Sequence, residues 1–389
     1  MLDEVKVKDL LPPLAEWYKK NKRVLPWRKD RNPYHVWVSE IMLQQTRVEA
    51  VIPYYNRFLE ALPTIGALAS CEEDRLMKLW EGLGYYSRVR NMQKAARAIM
   101  ESYGGRMPSD AAAIQRLPGI GPYTAGAIAS IAFGLPCPAV DGNVLRIMAR
   151  VSDDATDILS TPMKKAVTAV LTEAMEALAD TPDSAEGKPA LHRMEKSGAD
   201  AQPSDSCSSP GAGAQPSAGR SIPGEINQAM MDLGACVCIP NGTPKCGECP
   251  WSGLCLARQR GTAEALPVRI KKTKRRVEER TVFVVTEGES VLLQKRPREG
   301  LLAGLYEFPN FPGWMDRKAA AEAIRQMGLE PVEIEPLADA RHIFSHIEWR
   351  MKGYLIRVAA SGTHHFVAKE ALRTEYSVPS AFLAYSRLL

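Results

Sequence analysis

The sequence predicts a multi-domain protein: a helical part up to about residue 267, then an α+β domain over 281–389. Three observations predict it. Apolar residues recur at helical spacing through the first two thirds of the chain. Beyond a basic run at 266–279 the texture changes to β-branched strands at 281–285 and 291–296. Between these parts Cys236, Cys238, Cys246, Cys249 and Cys255 crowd together, which in a cytosolic protein points to a metal site rather than to disulfides.

The chain has 389 residues, enough for two or three domains with real cores. A formal net charge of +5 is a mild excess that fits a nucleic-acid partner. Asp3, Glu4, Lys6, Lys8 and Asp9 have no apolar core behind them, so no signal peptide is expected. No run is long and apolar enough for a membrane span, and a cytoplasmic location without a membrane partner is expected.

Residues 8–22 have the spacing of an amphipathic helix. Leu25, Pro26, Trp27 and Arg28 form an extended entry to a helix read over 34–51, mostly apolar. There Trp37, Glu40, Ile41 and Gln44 share one face. A carboxylate among apolar neighbours needs partners or drifts to its neutral form. Glu40 fits that setting, although from this segment alone the half-exposed edge of a helix is the readier reading. Residues 55–115 read as three helices broken at Pro63, at 82–86 and at Gly104-Gly105. The segment EGLGYYSRVRN mixes glycines, tyrosines and two arginines on a loop. It suits a tip inserted into nucleic acid, an aromatic wedge beside phosphate-binding cations; a turn with packed tyrosines fits as well.

Leu117-Pro118-Gly119-Ile120-Gly121 sets two glycines before an apolar small-residue helix, where they allow positive φ and close backbone approach. Pro122 suits a first helical turn. The free N–H groups and the dipole behind them make an anion site for a nucleic-acid phosphate, although an ordinary turn shares the pattern. After Phe133-Gly134 two prolines lead into Val140-Asp141-Gly142-Asn143, with Asp141 placed as an N-cap for the next helix. Helices continue through 163–179. Residues 197–223 are nearly all Ser, Gly, Ala, Pro, Gln and Asp, which cannot bury a core, and read as a disordered insertion. The helical pattern resumes at 225–232.

Next comes Cys238-x7-Cys246-x2-Cys249-x5-Cys255. Zinc sites usually show two CxxC-like pairs, and here there is one. Four unequally spaced cysteines suit an iron–sulfur cluster, with disulfides the remaining option. The run of Arg269, Lys271, Lys272, Lys274, Arg275 and Arg276 reads as a solvated linker or as a phosphate contact. A helix about 317–327 and strands near 343–358 complete the α+β domain, and no internal repeat is present.

LPGIGPYTA followed by VDGNV resembles the helix–hairpin–helix DNA glycosylases, and more closely the adenine-DNA glycosylases of the MutY type. The resemblance covers nearly the whole chain. It is carried by WVSEIMLQQTRV (37–48), EGLGYYSRVRN (81–91), LPGIGPYTAGAI (117–128), VDGNV (140–144), the four cysteines and the late Phe344-Ser345-His346. It implies an all-α helix–hairpin–helix glycosylase domain over 1–267. The core of that domain is at about 27–140, and its iron–sulfur module comes from 1–26 and 141–267. A basic linker at 268–280 and a Nudix-like α+β domain at 281–389 that senses 8-oxoguanine would follow. The partner implied is double-stranded DNA with A:8-oxoguanine or A:G mispairs, the cofactor a [4Fe–4S] cluster, the protein a monomer working at the nucleoid.

The reaction implied is hydrolysis of adenine from DNA. An adenine anion leaves poorly and the sugar becomes oxocarbenium-like, so an acid at the base and a carboxylate near the sugar address both ends. By resemblance Glu40 protonates adenine N7, Asp141 stabilises the cationic sugar, and Tyr123 and Asn143 hold the reacting centre. Trp27 and Arg28 match the walls of the pocket for a flipped adenine. Gln45, Thr46, Leu83 and Tyr85 match residues around the opposite 8-oxoguanine, with Ser345 completing that contact. Gly119 and Gly121 bind the DNA backbone, and Cys238, Cys246, Cys249 and Cys255 hold the cluster.

The chain departs from the family pattern in its first cysteine gap, x7 instead of x6, in Cys236 as a rival ligand beside Cys238, and in the 197–223 insertion. Three other readings compete. An endonuclease III-like glycosylase/lyase needs a lysine where Tyr123 stands. A Nudix hydrolase needs adjacent carboxylates where Arg325 and Gln326 precede Gly328-Leu329. A non-catalytic lesion binder would have no use for Glu40 and Asp141 together.

Overall fold

The computed structural model describes residues 6–179, 222–270, 275–359 and 364–389. The insertion read at 197–223 lies outside them as far as 221, and Ile222 and Pro223 already belong to a helix. The helices before the sheet are α1 (Val7–Asn21), α2 (Pro33–Leu43), α3 (Val48–Ala61), α4 (Ile65–Ser70), α5 (Glu73–Leu79) and α6 (Ser87–Ser102). They continue as α7 (Ala111–Gln115), α8 (Pro122–Phe133), α9 (Gly142–Val151), α10 (Thr161–Ala179), α11 (Ile222–Cys236) and α12 (Leu256–Arg260). No helix among the described residues is long and apolar enough to cross a membrane.

The chain forms two compact units. One takes Met1–Val24, Arg31–Pro33 and Ala125–Val268; the other takes Leu25–Asp30, Tyr34–Thr124 and Arg269–Leu389. In the first, the apolar stripe Leu10, Leu11 and Leu14 of α1 packs with Ile147 and Met148 of α9, Val167 and Leu171 of α10, and Met230 and Leu233 of α11. α9 is buried from Val144 to Val151, and Arg146 and Arg150 can be included because both guanidinium groups reach backbone carbonyls.

In the second unit the stretch 34–51, read as one helix, is two. α2 ends at Leu43, Gln45 takes φ +60°, and α3 restarts at Val48. Its helical core buries Trp37, Phe58 and Trp80, the last two edge to face at 5.9 Å.

The α+β part of this unit holds β1 (Arg276–Glu287), β2 (Ser290–Leu292), β3 (Gln294–Lys295), β4 (Tyr306–Glu307), β5 (Asn310–Pro312), α13 (Arg317–Gln326), β6 (Pro331–Ile343), β7 (Ile347–Val358), β8 (Phe366–Ala368), α14 (Lys369–Thr374) and α15 (Leu383–Ser386). The main sheet runs β6-β7-β1-β2-β8, with β5 paired to β1 and β3 paired to β4 apart. β1 begins five residues before the strand read at 281–285, because its N-terminal half pairs in parallel with β7 from Arg276↔Ile347 onward. Alternation along β1 sends Phe283 and Val285 to one face, with Ala320 and Ile324 of α13. Val282 and Val284 face the other way, with Trp349, Phe308 and Phe382. β6 escaped the sequence reading because it is an edge strand, mostly exposed and without apolar alternation.

Candidate active site

Glu40 sits three residues before the end of α2 and is 4% exposed. The Tyr123 hydroxyl, from the first turn of α8, donates to Glu40 Oε2 at 2.7 Å. Beside it Gln44 Nε2 donates to Thr124 Oγ1 at 3.5 Å, a second tie between the two helices. Of the two options for Glu40, the structure takes the buried one. The neighbouring entry places Trp27 in a short 3-10 turn, 5% exposed and edge-on to Tyr55 at 5.4 Å, with Arg28 half-buried after it.

The turn before α8 is anchored by buried Leu117 and Ile120, which leaves Gly119 and Gly121 exposed. The glycines differ. Gly119 needs its freedom, with φ +74° and a Cβ position 2.5 Å from Asn91 Cβ. Gly121 has no positive φ and faces open space, so its backbone is simply accessible at the helix start.

The residues matched to the opposite base lie on two adjacent turns. Gln45 (φ +60°) is exposed and Thr46 half-buried after α2; Leu83 is buried and Tyr85 (φ +48°) 47% exposed in the turn before α6. Arg88 binds both turns through their carbonyls. Ser345 is at the tip of the β6–β7 hairpin, closed by Phe344 N–H donating to Ile347 O at 2.8 Å. Phe344 packs on Trp349 at 5.0 Å, leaving Ser345 and His346 exposed. Tyr85 and Ser345 line one cavity of about 690 Å³, together with Arg90, Lys94 and Arg298; Gln45, Thr46 and Leu83 are not in its wall.

In the other unit, Asp141 caps α9. Its Oδ1 accepts from the Asn143 and Val144 backbone N–H groups at 2.8 and 2.9 Å, and Oδ2 from Asn143 Nδ2 at 2.7 Å. The proline turn leading to it is pinned by Asn227, 4% exposed, which no sequence signal had marked. Asn227 Oδ1 accepts from Ala139 N–H at 2.9 Å, and its Nδ2 donates to Ser130 Oγ at 2.7 Å and to Cys137 O at 2.8 Å. A Cβ at Gly126 would run into the Pro138 carbonyl, so this glycine lets the turn lie against α8.

Cys238, Cys246, Cys249 and Cys255 line one cavity with Arg150 and Trp251. Cys236, exposed at the end of α11, is not in its wall. All cysteines of the described residues are free thiols. Burial pushes the Cys249 thiol up to about 12, with the other three thiols adding to it, and raises Cys255 as well. Arg150 Nη1 donates to Cys238 Sγ at 3.3 Å and to Ile239 O at 2.9 Å, and Arg146 Nε donates to Cys238 O at 3.0 Å. Trp251 Nε1 donates to Leu10 O at 2.8 Å and fastens the cysteine loop to α1.

Two family models match the chain. Residues 38–174 match the HhH-GPD superfamily base excision DNA repair proteins, and residues 281–386 match the NUDIX domain. The adenine DNA glycosylase of Rattus norvegicus is 36% identical over 399 residues, taking in 88% of this chain and 69% of the rat protein. That of Buchnera aphidicola subsp. Acyrthosiphon pisum is 32% identical over 348 residues, taking in 89% of this chain and 85% of its own. Among solved structures, a thermostable thymine-DNA glycosylase aligns with 67% of this chain and 100% of its own, with a TM-score of 0.50 and 23% identity, a likeness of fold alone.

Proposed function

The chain belongs to the adenine DNA glycosylase family, and from that premise we propose that it removes adenine mispaired with 8-oxoguanine or guanine in double-stranded DNA. The observation that carries the chemistry is the Glu40–Tyr123 pair, an acid 4% exposed and oriented by a phenol at 2.7 Å. In the proposed reaction the adenine is flipped out of the duplex against Trp27 and Arg28. Glu40, acting as the general acid, gives its proton to N7, so the base leaves neutral rather than as an anion. The sugar left behind is cationic, and Asp141 stabilises it as a carboxylate. The donors from Asn143 and Val144 keep that carboxylate from rotating away. Water then adds to the sugar and gives its proton to the Glu40 carboxylate, which restores the acid.

The mechanism is hydrolytic without a lyase step, because Tyr123 has no amine to attack the sugar and its hydroxyl is engaged with Glu40. Gln45, Thr46, Leu83, Tyr85 and Ser345 read the base opposite adenine, and the exposed backbone of Gly119 and Gly121 takes a phosphate.

The cysteine cavity fits a [4Fe–4S] cluster: four sulfur donors on one wall, with Arg150 at 3.3 Å from one of them to offset thiolate charge. Among the described residues no group of three His, Cys, Asp or Glu is placed to hold a single metal ion. Bound there, the cluster would cross-link the loop through Cys238, Cys246, Cys249 and Cys255.

The test is base release under single turnover from duplexes carrying A opposite 8-oxoguanine, G or T. Release from the first two and not from A:T is expected; equal release from A:T refutes the reading.

A further inference from the structure

Arg88 belongs to the segment EGLGYYSRVRN, whose arginines read as phosphate-binding cations on a loop, yet it lies in α6 and its guanidinium has five carbonyl acceptors. Nη1 donates to Ile41 O at 2.6 Å, Met42 O at 3.3 Å and Gln44 O at 2.8 Å, the open carbonyl end of α2. Nη2 donates to Leu83 O and Gly84 O, both at 3.0 Å. Gln44 immediately precedes Gln45, and Gly84 immediately precedes Tyr85. Those two followers are non-glycine residues with left-handed backbones, φ +60° and +48°. Such conformations are costly and persist only where the surroundings impose them. Arg88 also lies over the rings of Trp80 (5.3 Å) and Tyr85 (5.6 Å), and burial pushes its pKa down to about 10, leaving it charged at neutral pH.

We propose that Arg88 is a positioning residue for reading the opposite base, its two terminal nitrogens holding the carbonyl before each strained residue so that Gln45 and Tyr85 are aimed together. The inference rests on the reading of Gln45 and Tyr85 as opposite-base contacts. It requires the planar fork of arginine, since a lysine ammonium donates from one point and cannot span both turns.

The experiment compares full-length wild type, Arg88→Lys and Arg88→Met by single-turnover excision on A:8-oxoguanine and A:G duplexes at one salt concentration. It also measures urea unfolding midpoints, each alone and in a Gln45→Gly background. Expected is a wild-type preference for 8-oxoguanine that falls about tenfold in both Arg88 variants, with A:G excision close to wild type. The midpoint lost on Arg88→Met should be smaller in the Gln45→Gly background, because glycine adopts the left-handed backbone without strain. Should Arg88→Met fail to fold, Arg88→Lys decides by the same two readouts. A preference kept in Arg88→Lys overturns the inference. So does an equal fall on both duplexes with an unfolding loss that Gln45→Gly does not reduce, the behaviour of a mere helix cap. A wild type without preference strikes the opposite-base reading instead, and the unfolding cycle alone then judges whether Arg88 holds the strained turns.

Discussion

Replacing Glu40 by Gln separates the proton from everything else the side chain does. Glutamine has nearly the same volume, so at a site 4% exposed it opens no cavity. Its amide oxygen can still accept from the Tyr123 hydroxyl, now 2.7 Å from Oε2. What falls away is the proton the acid gives, and the change of acceptor in this one bond costs at most about 1 kcal/mol. The fold should therefore survive with a slightly lowered unfolding midpoint, and the duplex should still bind. The rate should not survive. Removing a general acid typically costs about 10²–10⁴ in rate, or roughly 3–5 kcal/mol of barrier. The difference between those two magnitudes makes the assay decisive: single-turnover excision on A:8-oxoguanine beside an unfolding curve and a binding isotherm. Glu40→Ala is the poorer choice, because a void and a lost Tyr123 partner would lower the rate for reasons unrelated to acid catalysis. Near-wild-type excision by Glu40→Gln refutes the assignment of Glu40 as the acid.

Asp141→Asn should keep the cap of α9, since asparagine caps about as well as aspartate. It would, however, turn an amide N–H toward Asn143 Nδ2 or give up one backbone bond, costing about 1 kcal/mol of stability. Excision should drop far more than that, and full activity in the Asp141→Asn variant would leave the cationic sugar without its proposed counter-charge. Purified wild-type protein should be brown from its iron–sulfur centre. Serine at Cys246, Cys249 or Cys255 should abolish the colour, whereas Cys236→Ser should keep it because Cys236 is outside the cavity; a colourless, zinc-loaded wild type contradicts the cluster. Ser345→Ala removes one exposed hydroxyl at the hairpin tip and should weaken the preference for 8-oxoguanine over guanine by up to about tenfold, measured as the ratio of excision rates on the two duplexes.

Signals that live within a few residues were legible in the sequence. Asp141 before Gly142-Asn143 reads as a cap, and it is one, with both oxygens engaged by Asn143 and Val144. Gly119 reads as a residue that must be glycine, and both its φ and the approach of Asn91 require it. The β-branched run over 281–285 found the centre of β1, and the four cysteines announced themselves by spacing.

What the sequence could not determine is set by groups distant along the chain. The stretch 34–51 reads as one helix because Gln44-Gln45-Thr46-Arg47, though polar, holds no glycine or proline to break it. Only Arg88, folded back onto the carbonyls of Ile41, Met42 and Gln44, marks the place where α2 stops. The parallel pairing of β1 with β7 drew residues of the basic stretch into the sheet, and that pairing joins segments some seventy positions apart. Glu40 was poised between two settings until Tyr123 arrived from another helix. Asn227, Arg146 and Arg150 carry no local sign of burial, and each is buried because the tertiary fold brings carbonyl oxygens to it. Helical and strand periods, caps and turn glycines are local and therefore written in order along the chain. The partner of a buried polar side chain is a long-range choice, which only the folded backbone makes.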